Sequence, residues 1–206
     1  MSEMSLARWR LQETEFFLRE MKIESESDDL IKEIRDVVGD KVGNLKNVSK
    51  ALDDAKNHKR AIKVIREFYY YFDAFLCAFR SITWVMKHEF ESIDGFSDWY
   101  STMEIALRKD DEMRLLKTAR DFTLHENIIP TCRERTIKIY EDKITPDVFC
   151  DIFWHITENI KKDKEVAKIP AIDSIIQQDI VTMCSNCVTK MEKIVSECEQ
   201  KFLYSK

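Results

Sequence analysis

The sequence predicts an all-α protein, a multi-helix up-down bundle around one long central helix at about 59–91. Three observations carry that expectation. The 206 residues include only three glycines and three prolines, where average usage of about 7% and 5% would supply roughly two dozen. A chain so poor in turn residues does not build a sandwich, barrel or propeller. Gly39, Gly43 and Gly95 compose neither a G-x-G-x-x-G loop nor a Walker A loop, which excludes nucleotide-binding α/β folds of that kind. Finally, apolar residues recur at spacings of three and four along most of the chain.

The first helix spans residues 5 to about 22, with Leu6, Trp9, Phe16, Phe17 and Met21 roughly on one side. The polar stretch Glu24 to Asp29 follows, with Ser25 and Ser27 as caps. Leu30, Ile31, Ile34, Val37 and Val38 then mark a helix that stops at Gly39, and Val42, Leu45, Val48 and Leu52 continue the pattern weakly. In 59–91, Ile62, Ile65, Phe68, Phe72, Phe75, Phe79, Ile82, Met86 and Phe90 follow helical spacing. The middle of that segment is apolar or aromatic on nearly every face, the pattern of a buried helix. Within it, Asp73 and Arg80 are charges that burial would require to be paired, Asp73 or Glu67 serving a structural pair.

Asp94-Gly95 marks a turn, after which Ser97 caps a helix carrying Trp99, Tyr100, Met103 and Leu107. Asp110 and Asp111 open the next helix, which runs to about Glu126 on a core face of Leu115, Leu116, Ala119 and Phe122, before Pro130 forbids continuation. Ile137, Ile139 and Tyr140 sit in a short extended or coil stretch. Thr145-Pro146-Asp147 reads as a helix start, cap then proline, for a helix to about Asp163. Beyond Pro170, a final helix to about residue 203 repeats Ile172, Ile176, Ile180, Met183, Cys187, Met191, Ile194, Cys198 and Phe202 as a seam. There is no internal repeat or convincing linker, so residues 1–206 are read as a single helical domain.

Composition narrows the function classes. Hydrophobic residues make up 44% and aromatics 11%, enough for a real core and unlike a disordered chain. The net charge of −5 argues against coating nucleic acid by bulk charge and leaves room only for a local RNA site. No apolar run is long enough for a membrane span, and Met1 to Arg10 lacks a signal-peptide core, so a cytoplasmic location without membrane is expected. Six scattered cysteines fit reduced thiols.

The candidate chemistry is sparse. Cys184-Ser185-Asn186-Cys187 is a CxxC, but a zinc site needs two more ligands and no second CxxC or HxxxH exists. A redox motif needs a strand before it and a helix starting at it. Cys184, Cys187 and Cys198 are therefore read as small apolar seam residues, and neither metal nor cofactor is expected. His58 is read as part of a solvated helix start, His88 as a favourable residue near a helix C-terminus and His155 as a core histidine.

His125 differs through its context, Arg120-Asp121-Phe122-Thr123-Leu124-His125. This stretch resembles the signature of the HEPN superfamily, helical domains carrying Arg, four to six residues, then His, with a polar residue commonly after the Arg. The resemblance covers about 59–127. It implies a HEPN-like core and metal-independent RNA cleavage, as in toxin–antitoxin or phage-defence systems, with a cognate antitoxin or other protein as partner. The chemistry is coherent: histidine transfers protons near neutral pH, and a guanidinium stabilises charge on a phosphorane. His125 and Arg120 would take those roles, with Asp121 orienting the imidazole. On a straight helix Arg120 and His125 point about 140° apart, so helix distortion or a second protomer is needed, and the resemblance implies a homodimer. Arg114, Lys117, Arg133 and Arg135 would line a phosphate track. Toxin members with a nucleotidyltransferase partner often carry a Tyr two residues after the His, whereas Glu126 and Asn127 follow here. The alternative reading is a non-catalytic helical module that dimerises and binds a protein or small ligand.

Overall fold

The structure, a computed structural model, describes residues 4–25, 59–125, 131–140 and 147–203. The helix expected at 30–38 and closed by Gly39, its continuation at 42–52, the Ser27 cap, His58 and the Pro130 stop lie outside the described residues.

Helix α1 (Leu6–Ser25) starts where its sequence supplies a cap. The Ser5 hydroxyl accepts the Arg8 N–H at 3.0 Å, and the Glu89 carboxylate accepts the Leu6 and Ala7 N–H groups at 3.0 and 3.2 Å. An anion on the first turn satisfies otherwise orphaned donors and suits the helix dipole. Glu89 lies at the end of α2 (Lys59–Phe90), so the two helices run antiparallel, with Ala7, Leu11, Leu18 and Met21 buried between them.

Phe68, Phe72, Phe75, Leu76, Phe79, Ile82, Met86 and Phe90 form the buried face of α2. Burying each such side chain is worth about 2 kcal/mol. The helix is not buried all round, however. Its remaining stripe is exposed at Arg66, Tyr70, Asp73, Cys77, Arg80 and Trp84, with Tyr70 and Trp84 at 65% and 62% of full exposure. Asp73 and Arg80 therefore meet water and need no buried partner. Aromatic content alone does not say how many neighbours surround a helix.

Gly95 turns the chain into α3 (Phe96–Lys109) and stands at its N-cap with φ of +76°. That left-handed conformation is why glycine occupies the turn. Ser97 falls inside the first helical turn rather than at the cap. Asp110 then does two jobs. Its N–H ends α3 on the Leu107 carbonyl, and its Oδ1 accepts the Met113 N–H at 3.1 Å to open α4 (Asp111–His125).

The fold is all-α in class, with one hairpin set into it. β1 (Thr131–Tyr140) and β2 (Asp147–Ile156) pair antiparallel, from Thr131 opposite Ile156 to Tyr140 opposite Asp147. The helix expected from Thr145 to Asp163 does not form. Val148, Phe149, Ile152, Phe153, Trp154 and Ile156 are β-branched or aromatic, and with a paired strand available that preference overrides the cap-and-proline signal. Trp154 anchors the hairpin, its indole stacked on Phe68 at 3.9 Å and 2°.

Two short 3-10 turns, Glu158–Lys162 and Val166–Lys168, bury Ile160, Val166 and Ile169 on the way to α5 (Ile172–Ile175). The last long helix, α6 (Ile180–Cys198), starts later than its periodicity suggested. Asp179 interrupts the pattern, its carboxylate accepting the Thr182 N–H at 2.9 Å and the Trp154 N–H at 3.2 Å. Met183, Cys184, Cys187, Met191, Val195 and Cys198 form the buried face of α6, which Glu199–Leu203 extends as a wider π turn.

Ionic clasps hold the helices in register. Arg8 of α1 binds Glu192 at 2.5 Å and Glu199 at 2.6 Å, and Ser5 donates to Glu199 at 2.7 Å. Lys190 of α6 reaches Asp110 at 2.6 Å and Glu112 at 2.8 Å. Among the described residues, no helix is long and apolar enough to cross a membrane.

Candidate ligand cavity

A concavity lies between α2, α3 and α4, a cavity of about 520 Å³. Its floor is apolar: Phe79 from α2, Met103 and Leu107 from α3, Met113 and Leu116 from α4, and Met191 from α6. Three flexible thioethers give that floor an adaptable surface. Tyr100 forms part of the wall, its hydroxyl donating to the Thr83 carbonyl at 3.1 Å. Burial, with Glu104 nearby, pushes that phenol upward against the opposing effects of Thr83 and Arg80, so it stays neutral at physiological pH.

The rim carries four cations, Arg80, Arg108, Arg114 and Lys117, and four acids, Glu104, Asp121, Asp163 and Glu165. The acids are engaged. Glu104 pairs with Arg108 at 3.0 Å, Asp121 with Arg120 at 3.2 Å and Glu165 with Lys168 at 2.5 Å. Asp163 accepts the backbone N–H groups of Glu165 and Val166 at 2.8 and 3.1 Å. Arg114 is engaged too, by Asp111 at 3.3 Å and by the Lys168 carbonyl at 3.3 Å. Two cations remain. Among the described residues Arg80 reaches only the Thr83 hydroxyl, at 3.4 Å, Lys117 is exposed, and neither has an ion pair.

Of the residues singled out from sequence, Arg114, Lys117 and Asp121 come together on this cavity. Arg120 sits beside them on α4, bonded to Asp121 and close to Cys77 of α2. Burial and Asp73 raise the Cys77 thiol, and Arg120 opposes them. His125 is the last residue of α4, and its side chain lies outside the described residues. Arg133 and Arg135 belong to a different element, β1, opposite Trp154 and Ile152 in the ladder. Residues directly opposed in an antiparallel pair share a face, so the register puts both positions on the face of the core-stacked Trp154. Their side chains also lie outside the described residues.

Arg80, Tyr100 and Met103 were not expected at a site. Arg80 did carry a signal: Leu76, Cys77, Thr83 and Trp84, its neighbours three and four residues away, include no acid. The CxxC has the character read from sequence. Cys184 and Cys187 are fully buried on α6, and burial pushes both thiols far up. A thiol held protonated in this way is a packing group rather than a nucleophile.

No family model, curated protein or solved structure matches this chain.

Proposed function

We propose that this protein is a helical binding module whose α2–α3–α4 cavity takes a small molecule with an apolar body. The observation that carries this reading is the cavity itself, about 520 Å³ with a floor of Phe79, Met103, Leu107, Met113, Leu116 and Met191. Ligand sites are characteristically concave and within that range of size, with apolar side chains for the body of a ligand and polar groups that orient it. The test fills the cavity. Met103→Trp is expected to weaken binding of the neutral fluorophore N-phenyl-1-naphthylamine at least ~10-fold, with a stability change of about 1–3 kcal/mol. Unchanged affinity in a folded variant would count against the cavity as the binding site.

A second reading, metal-independent RNA cleavage by Arg120 and His125 in a HEPN-like homodimer, is favoured by one observation. α4 carries Arg120 and Asp121 and ends at His125, the arrangement the resemblance implies. The divergence of the two side chains along a helix makes a second protomer part of this reading, with an antitoxin or other protein as a further partner. Its support is weakened by the Arg120–Asp121 pair, which gives the guanidinium that would meet phosphate a carboxylate neighbour. Incubation with RNA in EDTA is expected to yield 2′,3′-cyclic phosphate ends, lost in His125→Ala. Cleavage that survives this substitution would remove the residue assignment.

A further inference from the structure

The free charge at the mouth of the cavity identifies the class of ligand. We propose that the cavity selects a small amphipathic anion, its apolar body on the methionine-rich floor and its anionic head, a carboxylate, sulfonate or phosphate, between Arg80 and Lys117. This rests on the binding-module reading and adds the chemistry of the head.

Partners already made at the rim carry the argument. Each of its four carboxylates is bonded to a cation or to backbone N–H groups. A cationic ligand would have to share carboxylates that already have partners. Arg108 and Arg114 likewise each have a carboxylate partner. Arg80 on α2 and Lys117 on α4 are cations on two different helices that flank one opening, without an ion pair among the described residues. The Tyr100 and Thr118 hydroxyls donate to the Thr83 and Arg114 carbonyls and offer a ligand only acceptor capacity. Among the described residues, the charged donors at the rim without a carboxylate partner are Arg80 and Lys117.

The geometry also separates a small anion from a polyanion. Glu104, Asp121, Asp163 and Glu165 ring the same opening. An extended phosphate backbone would run past several of these carboxylates, whereas one compact head meets fewer of them, with Asp121 one helical turn from Lys117. Depth orders the ligand as well. The floor residues Phe79, Met103, Met113, Leu116 and Met191 are buried, whereas Arg80 and Lys117 are exposed.

A matched pair of fluorophores tests this in the full chain. N-phenyl-1-naphthylamine and 8-anilinonaphthalene-1-sulfonate share one apolar body and differ by the sulfonate. The expected result is at least ~10-fold tighter binding of the sulfonate at low ionic strength, with the preference shrinking as salt screens it. Arg80→Gln and Lys117→Gln should each remove several-fold of the sulfonate affinity and leave the neutral probe unchanged. Together they should abolish the preference, and Arg80→Lys should retain most of it. Equal binding of both probes, or a preference that survives the double substitution, overturns the anion assignment while leaving the cavity as a neutral apolar site. Binding of either probe that ignores Met103→Trp places it elsewhere and overturns the cavity reading as well, as does failure of both probes to bind. Displacement of the sulfonate by a short RNA with no effect of decanoate would favour a polyanion and also overturn the proposal.

Discussion

Two charged regions of this molecule are built from the same residue types and do opposite things. At the junction of α1 and α6, Arg8 is enclosed by Glu192, Glu199 and Ser196, and Ser5 takes the other oxygen of Glu199. These contacts link residues nearly two hundred positions apart in sequence, and the Glu199 side chain is only 7% exposed. At the mouth of the cavity the acids are satisfied locally, and Arg80 and Lys117 are left facing solvent. The contrast teaches that a closed polar cluster fixes helix positions, whereas an incomplete one leaves interaction capacity for something else. Buried charges without partners are costly, so the first kind must be complete; solvated charges carry no such demand.

Breaking the closed cluster should have the largest effect. Glu199→Ala leaves Arg8 with Glu192 and Ser196 alone and removes the acceptor of Ser5. A loss of about 2–3 kcal/mol is expected, read as a lower urea midpoint at unchanged slope. A change below ~0.5 kcal/mol would erase the distinction between the two regions.

The pH dependence sharpens the same comparison with a smaller effect. Burial raises the Glu199 carboxyl, but hydrogen bonds from Arg8 and Ser5 outweigh it and hold the group below its ordinary value of 4.5. A depressed folded pKa means that this stabilisation is present above pH 4.5 and is lost as pH falls through the lowered value. Urea midpoints measured from pH 6 downward should fall in that acid range, and Glu199→Gln should flatten the decline. An identical acid limb in the variant would show that other carboxylates control it. The smallest effect belongs to the mouth of the cavity. Arg80→Gln and Lys117→Gln should change stability by less than about 0.5 kcal/mol, since neither cation has an ion pair to lose among the described residues. A larger loss would make them structural rather than ligand-facing.

The parts of the fold legible in the sequence are those set by local spacing and local capping. The α2 periodicity from Phe68 to Phe90, the start of α4 at Asp110-Asp111 and the cysteine seam of α6 all depend on residues within a turn or two of one another. At Asp147–Ile156 the local signal, a proline following a threonine, points to a helix start, while the decisive pairing lies with β1 across the hairpin. Asp179 was overlooked because its role as a cap is reinforced by Trp154, a residue of another element. The candidate site was legible in pieces. Arg114, Lys117 and Asp121 share one helix with His125 in the sequence, whereas Arg80, Tyr100 and Met103, on two other helices, join them only in the fold.

The amino-acid sequence by itself determined the class of this protein. Three glycines and three prolines in 206 residues, with apolar side chains at helical spacing, leave few alternatives to helices packed on an aromatic core. Tertiary structure alone decided which face of α2 meets water, where a strand replaces a helix, and which two cations end at one opening without an ion pair among the described residues. Spacing acts through neighbours in the chain, whereas exposure and charge pairing depend on neighbours in space, and those exist only once the helices have packed.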